Sequence, residues 1–369
     1  MPNPDPTLTF GILVLVLIVL QILISKAIST LFLQTTVLLF FIFHFLILVS
    51  LFYTPSEYYA SIKVSKIFFN LIAFIAPIIL FRRNKDFDFF ITFTKSVGVI
   101  VIVYLCYQYF LNELSIYKVR EDDIGLYPEY MSVSYFLGTL IIVYILSFNR
   151  LFKIIPLILL ALFLMLQLAA KGPILFLVIS ILLVNRKLII TWIKINTFKS
   201  FFYFSFCLVI LFIGYFTGMY EQLTNRLLFV DGVENDQSSI QRVFFALGAF
   251  NIFINFPFLG GGIGSFGILH LGSDVRASAH NIILEVLSEL GIVGFSLLIL
   301  FFVFLNNYRK SSNNTNEIKN KLIINTLLLY NIFQSMVASY LEDSRILYFF
   351  IGLSLSYYHL SIKSIITKY

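Results

Sequence analysis

Long apolar runs separated by short polar breaks dominate the chain. A helix needs roughly 20 apolar residues to cross about 30 Å of hydrocarbon. On that rule the runs predict about eleven spans, at 8–24, 31–53, 67–81, 89–111, 129–148, 154–170, 173–184, 200–217, 290–305, 322–340 and 346–361. The runs at 67–81 and 173–184 are short, so ten or twelve spans fit almost as well. From 218 to 290 the pattern changes to a long loop with helical periodicity of its own, in IQRVFFALGAFNIFINF and HNIILEVLSELG. The expectation is an all-α fold: a polytopic helical bundle in a membrane, one integral membrane domain over 1–369, with a long, partly helical loop at 218–290.

Composition narrows the class further. Of 369 residues, 59% are hydrophobic and 12% charged, where a soluble domain carries about 25% charged residues. The 43 Phe and 21 Tyr suit lipid-facing helices and interfacial belts. A soluble enzyme and a disordered chain are both excluded. The net charge of +7 would suggest nucleic acid only if it formed a patch. Instead, 16 of the 26 Lys and Arg fall in one alternating set of inter-span loops, which holds only three acidic residues, Asp86, Asp88 and Glu317. Cytoplasmic loops hold such an excess. This places the C-terminus in the cytoplasm and the 218–290 loop on the opposite, acidic face. No nucleic acid is needed as a partner.

Two tempting motifs lead nowhere. Gly262, Gly264 and Gly267 spell G-x-G-x-x-G, yet no strand-helix-strand unit surrounds them, as dinucleotide binding requires. A glycine turn is the better reading. The four histidines, His44, His270, His280 and His359, lack metal-ligand spacing, and Cys106 and Cys207 sit alone in apolar runs. Neither a metal nor a cofactor is expected.

Chemistry converges between Ser239 and Phe295, where two arginines and a histidine precede a helix leading into the membrane. Asn281, Glu285 and Glu289 recur every four residues and form one polar stripe on that helix. Carboxylates at membrane depth need partners. The glycines of PFLGGGIGSFG can bring backbone amides close to a charged group.

These residues resemble the O-antigen ligase and polymerase superfamily of bacterial envelope glycosyltransferases. Arg242, an apolar helix and Pro257-Phe258-Leu259-Gly260 look like that family's arginine-helix-P-x-x-G segment. Ala279-His280-Asn281 with Glu285, Glu289 and Gly291-Ile292-Val293-Gly294 looks like its histidine segment. Lys171-Gly172-Pro173 sits where many members carry a small basic motif, usually with Arg. The resemblance implies transfer of a glycan from an undecaprenyl diphosphate donor to a hydroxyl acceptor, outside the bacterial inner membrane, without metal or nucleotide sugar. His280 becomes the candidate base, since His titrates closest to ambient pH. Arg242 becomes the first candidate for the diphosphate, because a guanidinium is a permanently charged fork for phosphate oxygens. Arg276 is the second, Lys171 and Arg345 are candidate rim contacts, and Asn281, Glu285 and Glu289 are candidates for binding sugar or orienting the base.

A polymerase joining lipid-linked repeat units into a surface polysaccharide is the first reading. A ligase that passes the finished glycan to lipid A core or another acceptor is the close alternative. The substrate and membrane lipid are the expected partners, with a chain-length regulator and a flippase of the same pathway as further candidates. A transporter or flippase for the lipid-linked oligosaccharide is a third reading of a different class, but transporters carry repeated halves and midplane charges, whereas here the ionisable groups gather in one outer loop.

Overall fold

The computed structural model describes residues 6–25, 34–111, 130–147, 154–168, 171–195, 237–307, 315–337 and 340–366. The expected span at 200–217, the outer loop at 112–128 and the first part of the long loop, 218–236, lie outside the described residues. Everything regular among the described residues is helical. In chain order the helices are α1 (Pro6–Ser25), α2 (Thr35–Ser50), α3 (Tyr58–Leu80), α4 (Asn84–Phe110), α5 (Tyr130–Ser147), α6 (Ile155–Gln167), α7 (Lys171–Ile195), α8 (Gln237–Asn255), α9 (Phe266–Leu271), α10 (Ile282–Asn307), α11 (Thr315–Ser335) and α12 (Arg345–Ile366), with a 3-10 turn at Leu341–Asp343 before α12. Three of them, α3, α4 and α10, are long and apolar enough to cross a membrane, and α1, α2, α5, α6 and α8 contain shorter apolar stretches. The apolar helices make this a membrane protein.

By contact the chain divides into two compact units, one of 1–90, 241–324 and 331–369, the other of 91–240 and 325–330. In the second unit α5 packs on α6 and α7, and the Tyr144 hydroxyl of α5 donates to the Lys95 carbonyl of α4 at 2.7 Å. The first unit holds the long loop's helices. Its centre is aromatic: Phe40 of α2 stacks on Phe74 of α3 with ring centroids 3.7 Å apart, and meets Phe301 of α10 and Tyr348 of α12. Such aromatic clusters each add about 0.5–1.5 kcal/mol per pair beyond the area they bury. A side chain at Gly352 of α12 would run into the Phe74 carbonyl and the Pro77 ring, so glycine there lets α12 lie directly on α3.

Of the boundaries that differ from the apolar pattern, two do so for one reason. The third span was expected from 67, yet α3 begins at Tyr58 and carries the buried face back through Tyr59, Ala60 and Lys63. The span expected from 290 and the loop helix before it are two segments of α10, which starts at Ile282 and bends at Gly291. In both places charged residues interrupt the apolar run, and in both the charges are buried against each other.

Candidate active site

Helix α10 begins at a built cap. The Asn281 carbonyl oxygen of the side chain accepts from the amides of Ile283 and Leu284 at 2.9 and 3.1 Å, while its amide nitrogen donates to the Met336 carbonyl at 2.9 Å. These bonds occupy two of the helix's otherwise unpaired first amides and tie α10 to the end of α11. Asn281 therefore serves as a cap. Immediately before it His280 holds φ 53°, the only positive φ on a non-glycine residue among those described. Backbone held in that region is a costly conformation that concentrates at functional sites.

The imidazole lies between two rings, with centroids 5.7 Å from Phe245 of α8 and 5.2 Å from Tyr340. Arg242, Phe245, Ala249 and Ile252 fall on one face of α8. Phe245 packs against a small apolar core of Ala249, Ile252, Phe266, Ala277 and Ala279, which fixes α8 beside the His280 loop. Arg242 is half-buried one turn before Phe245, close enough for its charge to act on His280. Burial, then the positive charges of Arg242 and Arg276, hold the His280 imidazole below its ordinary pKa. It is thus biased towards the neutral form, the form that can accept a proton.

Arg276 is engaged from several sides. Its Nε donates to Glu342 at 3.0 Å, its second terminal nitrogen pairs with Asp343, and the guanidinium lies 4.6 Å from the Tyr340 ring centroid. Glu342 is fully buried and also accepts from the Tyr59 hydroxyl at 2.6 Å and from Lys66 at 3.3 Å. Arg345 reaches Asp343 at 3.8 Å and lies over Phe69. Arg276 and Arg345 thus meet at Asp343. Lys171 heads α7 in the other unit, and its side chain lies outside the described residues.

Glu285 and Glu289 sit lower on α10, both fully buried, with their carboxylates turned to Lys63 of α3. Sequence reasoning had no place for Lys63. The signal was present in the spacing of Tyr59, Lys63, Ile67 and Asn70, which continues the buried face of α3 upstream of its apolar run. A second unforeseen residue is Asp274, whose carboxylate accepts from the Ser56 hydroxyl at 2.6 Å and from the amides of Tyr58, Glu57 and Tyr59. It closes the N-terminus of α3 from within the long loop. Desolvation pushes that carboxyl up, but the four hydrogen bonds outweigh it and hold its pKa below the usual value.

The glycine motif has a structural use. At Gly291, φ 62° and ψ −160° break α10, leaving carbonyls before the break and amides after it without helical partners. The loop at 257–262 supplies them: the Ser288 and Glu289 carbonyls accept from the amides of Gly261 and Gly262, both at 2.9 Å, and the amides of Ile292 and Val293 donate to the carbonyls of Pro257 and Phe258 at 2.9 and 3.2 Å. A Cβ at Gly260 would overlap the Glu289 and Leu290 backbone. The expected glycine turn is a plug for a broken helix.

Residues 155–299, from the start of α6 into α10, match the sequence profile of the family described as O-antigen ligase. The match supports membership of the O-antigen ligase/polymerase superfamily, whose members are glycosyltransferase-like enzymes acting on lipid-linked glycans. It includes Lys171, Arg242, Arg276, His280, Asn281, Glu285 and Glu289, and excludes Lys63 and Arg345. No curated protein matches the chain.

Proposed function

We propose that this protein joins undecaprenyl-diphosphate-linked oligosaccharide units into a surface polysaccharide on the periplasmic face of the bacterial inner membrane. The observation that carries the reading is His280, held in a strained backbone conformation at the head of α10 and biased to its neutral form between Arg242 and Arg276. The acceptor hydroxyl gives its proton to the imidazole as its oxygen bonds to the anomeric carbon. The bond from that carbon to the diphosphate breaks, and the electron pair leaves with the phosphate oxygen. Arg242 meets the charge that develops there, and Arg276, fixed by Glu342 and Asp343, adds a second cation. Direct displacement inverts the anomeric configuration. Arg345 acts at the rim; Asn281 keeps the His280 loop on α10, and Glu285 and Glu289 act beneath the site.

In this reading eleven spans carry the site, residues 218–290 face the periplasm and the C-terminus faces the cytoplasm, as the distribution of Lys and Arg indicates. A chain-length regulator and a flippase complete the pathway. The second reading is a ligase, favoured by the description of the matched family. The loose motifs around the histidine segment favour the polymerase, because polymerases of this superfamily vary widely in sequence.

The test is reconstitution of the purified protein with one lipid-diphosphate oligosaccharide as sole substrate and a chelator present. A ladder that vanishes in His280→Ala supports the polymerase. Product only after addition of a lipid A core acceptor supports the ligase. No product from either, with movement of the lipid-linked unit across vesicle membranes, refutes both in favour of a flippase.

A further inference from the structure

Lys63 has no part in the mechanism above, yet it is fully buried on α3 and its ammonium meets both oxygens of Glu289 at 2.8 Å as well as Glu285. Each carboxylate has one more bond, and the two bonds reach different loops, at Leu341 and at Gly264. Glu285 Oε2 accepts from the Leu341 amide at 2.9 Å. That bond fixes the 3-10 turn whose Glu342 and Asp343 hold Arg276, and whose neighbour Tyr340 lies against both Arg276 and His280. The Asn70 side chain ties the same turn to α3 through the Leu341 carbonyl, at 2.7 Å. Glu289 accepts from the Gly264 amide, on the loop that plugs the break in α10 and leads into α9.

We infer that Lys63 is a positioning residue: its ammonium holds Glu285 and Glu289 in the places from which they fix the two loops, and so sets where Arg276 and Tyr340 stand relative to His280. This rests on the glycosyl-transfer reading for its effect on activity, but not for its effect on geometry. The physical need is clear. Two carboxylates four residues apart on one helix face repel, and here both are fully buried, where solvent screening is weak. Without the cation they separate or take up protons, and the amides of Leu341 and Gly264 lose their acceptors. A buried ion pair serving cohesion alone would be weak support for a fold, and it would not require each carboxylate to reach a different loop.

The experiment measures two quantities on folded, detergent-purified protein: the His280 titration, by NMR of labelled histidine identified by its loss in His280→Ala, and kcat and KM for the lipid-diphosphate donor. In Lys63→Met, Arg276 moves from His280, so the imidazole pKa rises towards its ordinary value and kcat/KM falls about 100-fold. Glu285→Leu gives the same direction of change, and because Lys63 keeps Glu289 as a balanced pair, it tests the idea even where Lys63→Met does not fold. Glu285→Gln keeps an acceptor for Leu341 and therefore loses clearly less than Glu285→Leu. A folded Lys63→Met or Glu285→Leu protein with wild-type titration and kinetics overturns the inference. So does a Glu285→Gln loss as large as that of Glu285→Leu, which would assign the carboxylate to substrate. If wild type transfers no glycan, the glycosyl-transfer reading fails, and the NMR titration alone decides the role of Lys63.

Discussion

Replacing Gly291 by Ala should be among the most damaging single changes on α10. At φ 62° and ψ −160° the residue occupies a region open essentially to glycine alone, and forcing a side chain there costs about 1–3 kcal/mol. The new Cβ would also overlap the Phe258 carbonyl and the Gly260 amide. Relief of that overlap displaces the 257–260 loop and threatens the bonds from Ile292 and Val293 to the Pro257 and Phe258 carbonyls, each worth about 1 kcal/mol net. Together the loss comes to about 3–5 kcal/mol. Gly272 provides the control, since its φ of 74° is equally positive but a Cβ there meets nothing within 4 Å. Gly272→Ala should cost only the left-handed penalty, about 1–2 kcal/mol. Thermal unfolding of the two purified variants in one detergent measures the difference, expected to be on the order of 2–5 °C. Equal midpoints would refute the argument that crowding at the helix break, rather than backbone conformation alone, demands glycine.

Two further outcomes follow from the electrostatics. In the proposed mechanism neutral His280 is the active form, so the rate should fall at acidic pH with a limb below the ordinary imidazole value; Arg242→Ala or Arg276→Ala removes a positive neighbour, raises the His280 pKa and should move the limb to higher pH, measurable as kcat/KM against pH. Asp274→Ala should lower stability at neutral pH by about 1 kcal/mol through loss of the α3 cap. Because the wild-type carboxyl's pKa is depressed in the fold, its contribution is present above the ordinary carboxylate value and lost as pH falls through the folded one, so unfolding midpoints of variant and wild type should converge at strongly acidic pH.

Much of the helical order was legible because apolar runs of span length leave few alternatives to helix. Arg242, Arg276 and His280 were singled out through the resemblance of their segments to a known family, and the structure brings both arginines close enough to His280 for their charges to act on it. The boundaries failed where charge entered an apolar helix. Hydropathy reads Lys63, Glu285 and Glu289 as breaks, and only their pairing makes them interior; Lys63 and Glu285 are 222 positions apart, a separation no local pattern bridges. The glycine loop was recognised as a turn, but its purpose depends on carbonyls and amides exposed by the bend at Gly291, which appear only once α10 is drawn as a broken helix. Asp274 was invisible for the same reason, since the amides it caps belong to α3.

The distribution of partners among the cations separates structure from chemistry. Lys63 has Glu285 and Glu289, Lys66 has Glu342, Arg276 has Glu342 and Asp343, and Arg345 has Asp343. Arg242, half-buried beside the histidine, has no carboxylate among the described residues. A cation with an internal partner is held in place, and an incoming anion must compete with that partner. A guanidinium partly withdrawn from water without one gains more from an anion brought by a ligand, since the desolvation cost has already been met in folding. In the proposed mechanism Arg276, held by Glu342 and Asp343, is the fixed cation, and Arg242, without a carboxylate among the described residues, is the one freer to take the diphosphate. Burial contributes most to the low pKa of His280, and the charges of Arg242 and Arg276 add to it. In the proposed mechanism a bound diphosphate offsets the field of the arginines and raises the proton affinity of His280 at the step in which it takes the acceptor's proton.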